Sequence, residues 1–154
     1  FLLERKKNFY QQKNIYISVM GNRVKKDILG SGGGWHQDTR IKPQKKWFVY
    51  LNDVDNMQRG PTQFLNVYQT IFIKVLELFC FNFGNRVNLN LSNWFCNMWG
   101  KYAVHKKGIM FSADTRLIHR GTPIEEDGFE RYALTLYAYG KHTPANMTLT
   151  KIEL

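Results

Sequence analysis

Arg131-Tyr132-Ala133-Leu134-Thr135-Leu136-Tyr137-Ala138-Tyr139 alternates with a period of two. On an extended backbone Arg131, Ala133, Thr135, Tyr137 and Tyr139 share one face, and Tyr132, Leu134, Leu136 and Ala138 share the other. The stretch predicts a strand. Outward from it, residues 15–20 (Ile-Tyr-Ile-Ser-Val-Met) are rich in β-branched and aromatic types, and Trp47–Leu51 is an apolar run too short for a helix. Ile109–Phe111 and Leu117–His119 flank a polar bend at Asp114-Thr115-Arg116. Turn signals stand at Gly30-Ser31-Gly32-Gly33-Gly34, Gly60-Pro61 and Gly121-Thr122-Pro123. Several short strands between turns predict a mainly β chain, folded as a small barrel or sandwich.

Residues 64–107 break this pattern. Val67–Phe79 reads as a helix with a narrow polar stripe at Thr70, Lys74 and Glu77, although its β-branched residues also suit a strand. Asn82 to Trp99 shows no clean period and is expected to be irregular and lid-like, and residues 64–107 together are expected to form a variable, irregular or helical insert. One domain is expected over residues 1–154, since 154 residues suffice for a single core. The chain opens at Phe1 in what reads as the middle of an element, as a chain shortened at its N-terminus would.

Hydrophobic residues make up 44% and charged residues 22%, which excludes a disordered chain. The net charge of +10 attracts anions. Its carriers are scattered as Lys6-Lys7, Lys25-Lys26, Lys45-Lys46 and Lys106-Lys107, not gathered in a basic tract, so nucleic acid ranks below a small anionic ligand as partner. Cys80 and Cys96 form no disulfide framework and no secretory signal precedes them, so a cytoplasmic location is expected. The apolar stretch Val67–Phe83 is interrupted by Gln69, Lys74, Glu77 and Asn82 and does not read as a membrane span.

His36 and Asp38 are two residues apart, so on an extended chain both side chains point the same way and can grip one ion. A third ligand must come from a distant strand, and His119 is the best candidate. Two imidazoles and a carboxylate make a facial triad, the ligand set of non-haem Fe(II), which leaves positions open for a 2-oxoacid and for O2. Such a cosubstrate needs an anchor for its far carboxylate. Arg131 offers a planar guanidinium with paired donors, and the alternation places it on one face with Thr135 and Tyr137.

The blocks Gly32-Gly33-Gly34-Trp35-His36-Gln37-Asp38, Tyr50-Leu51-Asn52-Asp53-Val54-Asp55 with Gly60-Pro61, Gly108 to His119-Arg120-Gly121, and Arg131-Tyr132-Ala133-Leu134-Thr135 resemble, in order and spacing, the phytanoyl-CoA dioxygenase family over about residues 15–140. The resemblance implies a double-stranded β-helix of jelly-roll, cupin-like type. It implies Fe(II) on His36, Asp38 and His119, and 2-oxoglutarate on Arg131 and Thr135. The activity implied is hydroxylation of an unactivated C–H bond with O2, releasing succinate and CO2, with ascorbate as supporting reductant. Related halogenases replace the ligand carboxylate by a small residue, so Asp38 favours hydroxylation.

Rival readings attach to the same residues. His36 and Asp38 suit a loop salt bridge, His119 a satisfied core histidine, and Arg131 an ion pair with Glu125 or Glu126. Trp35 suits a pocket wall or a packed aromatic equally, and His105 and His142 read as surface residues. At the level of the whole chain the alternatives are a non-catalytic β-helix module for an anionic ligand and a dioxygenase directed at nucleic acid.

Overall fold

The computed structural model describes residues 16–26, 28, 32–38 and 45–139, so Ile15 and His142 lie outside the described residues. Two antiparallel sheets carry the fold. The larger has strand order β1 (Tyr16–Lys25), β7 (Glu130–Tyr139), β2 (Lys45–Tyr50) and β5 (Met110–Asp114). In the smaller, β3 (Thr62–Phe64) lies between β4 (Lys101–Ala103) and β6 (His119–Gly121). This is the mainly β, two-layered, cupin-like class expected. Two helices, α1 (Val67–Phe79) and α2 (Asn90–Trp99), form the insert between β3 and β4.

The strand 131–139 reads in phase. Arg131, Ala133 and Thr135 are buried and Tyr132 is exposed. Its full-length partner β1 runs to Lys25, five residues beyond the predicted end, because β7 offers a backbone partner at every position down to Glu130. The sheets meet through aromatic side chains: Phe48 lies 6.0 Å and Phe111 6.3 Å, centroid to centroid, from Phe64 across the layer. Tyr50 joins them too. Its hydroxyl accepts the Thr62 N–H at 2.9 Å and lies 3.2 Å from Thr62 Oγ1.

Two features mark the insert. First, Val67–Phe79 is the helix read from its spacing, opened by a reciprocal cap between Asn66 and Gln69, and its polar stripe turns inward: Thr70 and Glu77 are buried with Ile73. Tyr68, Ile71, Phe72, Val75 and Phe79 are left exposed on the outer side. Second, Asn90–Trp99 is helical where irregular chain was expected. Its N-cap, Leu89, has no capping side chain. The Glu77 carboxylate supplies what the local sequence lacks, accepting the N–H groups of Asn88 at 3.2 Å and Leu89 at 3.0 Å and an amide bond from Asn82. Burial opposes that charge, but these bonds outweigh it and hold the Glu77 pKa below its ordinary value.

A second core lies between the helices and the small sheet, made of Trp35, Leu65, Ile73, Val87, Cys96 and Ile118. Trp35 is therefore a packed aromatic, its indole N–H donating to Asn97 at 2.9 Å. Among the described residues no helix is long and apolar enough to cross a membrane.

Candidate metal centre

Residues 32–38 sit between two neighbours, bridged at Gly33 and His36 and bent between them at Gly34, whose φ is +77°. On one side His36 and His119 exchange both backbone hydrogen bonds at 2.9 Å, and Gly121 N–H donates to Gly32 at 2.9 Å. On the other, Gln37 N–H donates to Asn85 and Val87 N–H to Trp35, each at 2.9 Å. A directly opposed antiparallel pair puts both side chains on one face. This is how residues 83 positions apart come together: the His36 and His119 ring centroids are 4.5 Å apart. Asp38, two residues along, returns to the same face. One ligand atom from each of His36, Asp38 and His119 lies within 4.8 Å of the others.

The ring orientations give this cluster its chemistry. His36 Nδ1 lies 2.9 Å from the Gly34 carbonyl, and His119 Nδ1 lies 2.9 Å from the Leu117 carbonyl. A carbonyl only accepts, so both Nδ1 atoms carry the proton and both Nε2 atoms present a lone pair. Those lone pairs face the same atom, Asp38 Oδ1, at 3.3 and 3.6 Å. Three electron donors converge with no hydrogen between them unless a ring takes a second proton. His119 is ill suited to do so, because burial foremost pushes its pKa down to about 4, against the pull of the Asp38 charge. Its Nε2 is buried without a hydrogen-bond partner. A salt bridge between His36 and Asp38 leaves that orphan unexplained, and a satisfied core histidine would not have it. A cation among the three atoms satisfies all of them, with each ring oriented by a backbone carbonyl.

Asp38 is held ionised. Burial raises its pKa, but the His36 contact and the Lys46 ammonium together carry it well below the ordinary carboxylate range. Lys46, 3.0 Å from Asp38 Oδ2, stands out only in three dimensions: it faces inward with Phe48 and Tyr50, a phase that the apolar run Trp47–Leu51 alone does not reveal.

The cluster opens into a cavity of about 480 Å³. Arg131 and Thr135 line it from β7, and Asn22 from β1 donates to Thr135 Oγ1 at 3.0 Å. The Arg131 guanidinium is buried and donates to the Gly60 carbonyl. Gly121 makes room for it, since a Cβ there would sit 3.1 Å from Arg131 Nη2. Of the two rival partners, Glu126 takes two bonds from Arg59, at 2.7 and 3.1 Å, and neither it nor Glu125 acts on the Arg131 charge. Burial lowers the Arg131 pKa and no carboxylate offsets it. The lining includes Arg23, Lys46, Arg86 and Arg131 and one carboxylate, Asp38; with Arg23 paired to Glu130 and Lys46 to Asp38, the Arg86 and Arg131 charges make the cavity favour anions. His105 is not among the clustered residues; it is half-buried, with its ring 4.8 Å from Phe111.

No protein-family model and no curated protein sequence matches the chain. Solved structures do match. EvdMO1 superposes with a TM-score of 0.63 at 12% identity, over 92% of this chain and 31% of that one. HygX from Streptomyces hygroscopicus, solved with nickel, 2-oxoglutarate and hygromycin B bound, gives 0.58 at 15% identity, over 91% and 61%. SnoN, a non-haem alpha-ketoglutarate-dependent epimerase from nogalamycin biosynthesis, gives 0.54 at 12% identity, over 90% and 52%. The fold is shared with these proteins. The chain spans between 31% and 61% of their lengths.

Proposed function

We propose that this chain is the core of an Fe(II)- and 2-oxoglutarate-dependent oxygenase of the phytanoyl-CoA dioxygenase type, with His36, Asp38 and His119 as metal ligands. The observation that carries the reading is the convergence of two lone-pair Nε2 atoms and a carboxylate oxygen, one of the nitrogens buried and otherwise unpartnered. HygX, of like fold, holds nickel and 2-oxoglutarate together. When bound, iron and 2-oxoglutarate supply the oxidative chemistry, consuming O2 and releasing succinate and CO2. Arg131 binds the distal carboxylate of the cosubstrate from its buried position, and Thr135 lies beside it on the same strand face. Hydroxylation of a C–H bond in a small anionic organic molecule is the proposed outcome, and Asn85 and Arg86 of the 64–107 insert line the cavity. The cationic lining supports an anionic substrate. Residues 1–154 act as one domain in this reading.

The test is succinate release with Fe(II), ascorbate and 2-oxoglutarate, in wild type and Asp38→Ala. Wild type is expected to release succinate and Asp38→Ala to fall to background with iron no longer retained. The substitution also leaves Lys46 without its partner, at about 1–3 kcal/mol of stability, so folding is checked alongside. Turnover and iron content like wild type's in Asp38→Ala would remove the triad.

A further inference from the structure

The two oxygens of Asp38 face different partners. Oδ1 points at the Nε2 atoms of His36 and His119, at 3.3 and 3.6 Å, and Oδ2 meets the Lys46 ammonium at 3.0 Å. Lys46 is not free to wander: its residue is buried, β2 holds its backbone between β5 and β7, and its ammonium sits 5.0 Å from the ring centroids of both Phe48 and Tyr137. A carboxylate without such a partner is free to place one or both oxygens on a cation. A facial site that must also chelate a 2-oxoacid and admit O2 has no position to spare for a second carboxylate oxygen.

We propose that Lys46 is a positioning residue that confines Asp38 to one-oxygen ligation and so keeps a coordination position open for the cosubstrate. The role rests on the iron reading of His36, Asp38 and His119. Lys46 touches neither metal nor cosubstrate in this account; it acts through Asp38.

Lys46→Met keeps an unbranched stem against Phe48 and Tyr137 and removes the charge. The full chain, wild type and variant, is loaded with Mn(II), its affinity measured by calorimetry and the Asp38 geometry by crystallography. 2-Oxoglutarate is titrated anaerobically into the Fe(II) form. In wild type one Asp38 oxygen is expected on Mn(II) and the other on Lys46. In Lys46→Met both oxygens turn to the ion, Mn(II) affinity is equal or tighter, and the dissociation constant for 2-oxoglutarate rises about tenfold or more, since an occupied position must first be cleared. Lys46→Arg restores one-oxygen ligation. Unchanged one-oxygen ligation in Lys46→Met overturns the proposal; if 2-oxoglutarate nonetheless binds more weakly, Lys46 is a direct cosubstrate contact. Wild type that binds no Mn(II) overturns the iron reading and Lys46's role with it, whereas the variant outcomes bear on Lys46 alone. Should Lys46→Met not fold, Lys46→Gln, neutral with a similar stem, carries the same readings.

Discussion

On the inner face of α1 the buried polar residues are Thr70 and Glu77; around the cavity they include His119 and Arg131 beside Gln37, Lys46, Thr62 and Thr135. The Thr70 hydroxyl accepts the Ile118 N–H at 3.1 Å, and Glu77 accepts from Asn82, Asn88 and Leu89. In the cavity His119 Nε2 has no partner, and the Arg131 guanidinium meets one backbone carbonyl and no carboxylate. Buried polar groups cost free energy unless bonded. The helix has met that cost from within the chain, so its polar residues hold the fold. The cavity has met it at Thr135, Thr62 and Lys46, through Asn22, Tyr50 and Asp38, but has left it open at His119 Nε2 and at the Arg131 charge, and a ligand from outside would satisfy those two.

The largest effect is expected on the structural side. Glu77→Ala removes the acceptor of two backbone N–H groups and one amide, each costing about 1–3 kcal/mol when orphaned, so a loss of about 3–5 kcal/mol is expected. That is a large share of a typical domain's stability. A lower urea midpoint at constant slope reads it out. Metal affinity of the folded fraction should stay within about threefold, because His36 and His119 are paired through their own backbones rather than through α1. A stable Glu77→Ala protein that had lost its metal would reverse the assignment of the two regions.

Acid probes the unpartnered side next. His119 has a folded pKa of about 4 against 6.5 in the unfolded chain, so between those values the unfolded state binds more protons. The metal-free protein is therefore expected to lose stability as pH falls from about 6.5 to 4, by on the order of 3 kcal/mol at most from this group. His119→Gln should flatten that part of the curve. A variant whose urea midpoint tracks wild type across the window would show that His119 is not the group responsible. Bound metal should oppose the loss, since it and the proton compete for the same lone pair.

How much of this could be read from the sequence follows the same division. The phase of β7 was legible because nine residues alternate without interruption, and that phase delivered Arg131 and Thr135 to the cavity. That His36 and Asp38 share one face was legible from their spacing; that His119 joins them was not in the spacing and rested on the order of the sequence blocks. Lys46 was not legible, because its meaning depends on how β2 lies against Asp38 in space. The inward turn of α1 was not legible either: periodicity locates a polar stripe, but which way it faces was decided by Glu77 capping a second helix. That second helix escaped notice for the same reason, its cap coming from another element. Local chemistry reads out in sequence; tertiary satisfaction does not.

The smallest effect separates binding from folding at one residue. If Arg131 awaits a carboxylate, Arg131→Lys keeps the charge in a buried place but loses the paired, planar donors, at about 1.5–3 kcal/mol of cosubstrate affinity. The dissociation constant of 2-oxoglutarate should rise roughly tenfold to a hundredfold. Iron binding should barely move, because Arg131 contributes no ligand. Stability should change less than affinity: the one bond at risk is the one to Gly60, and a lysine ammonium can also donate to a carbonyl. Were Arg131 a fold-holding residue like Glu77, the pattern would invert, with a clear stability loss and unaltered affinity. Anaerobic titration of 2-oxoglutarate into the Fe(II) proteins, followed by the metal-to-ligand absorption band, measures one quantity, and urea unfolding of the same samples measures the other. Equal affinities in wild type and Arg131→Lys would take Arg131 out of the site and leave its burial beneath Gly121 a matter of packing.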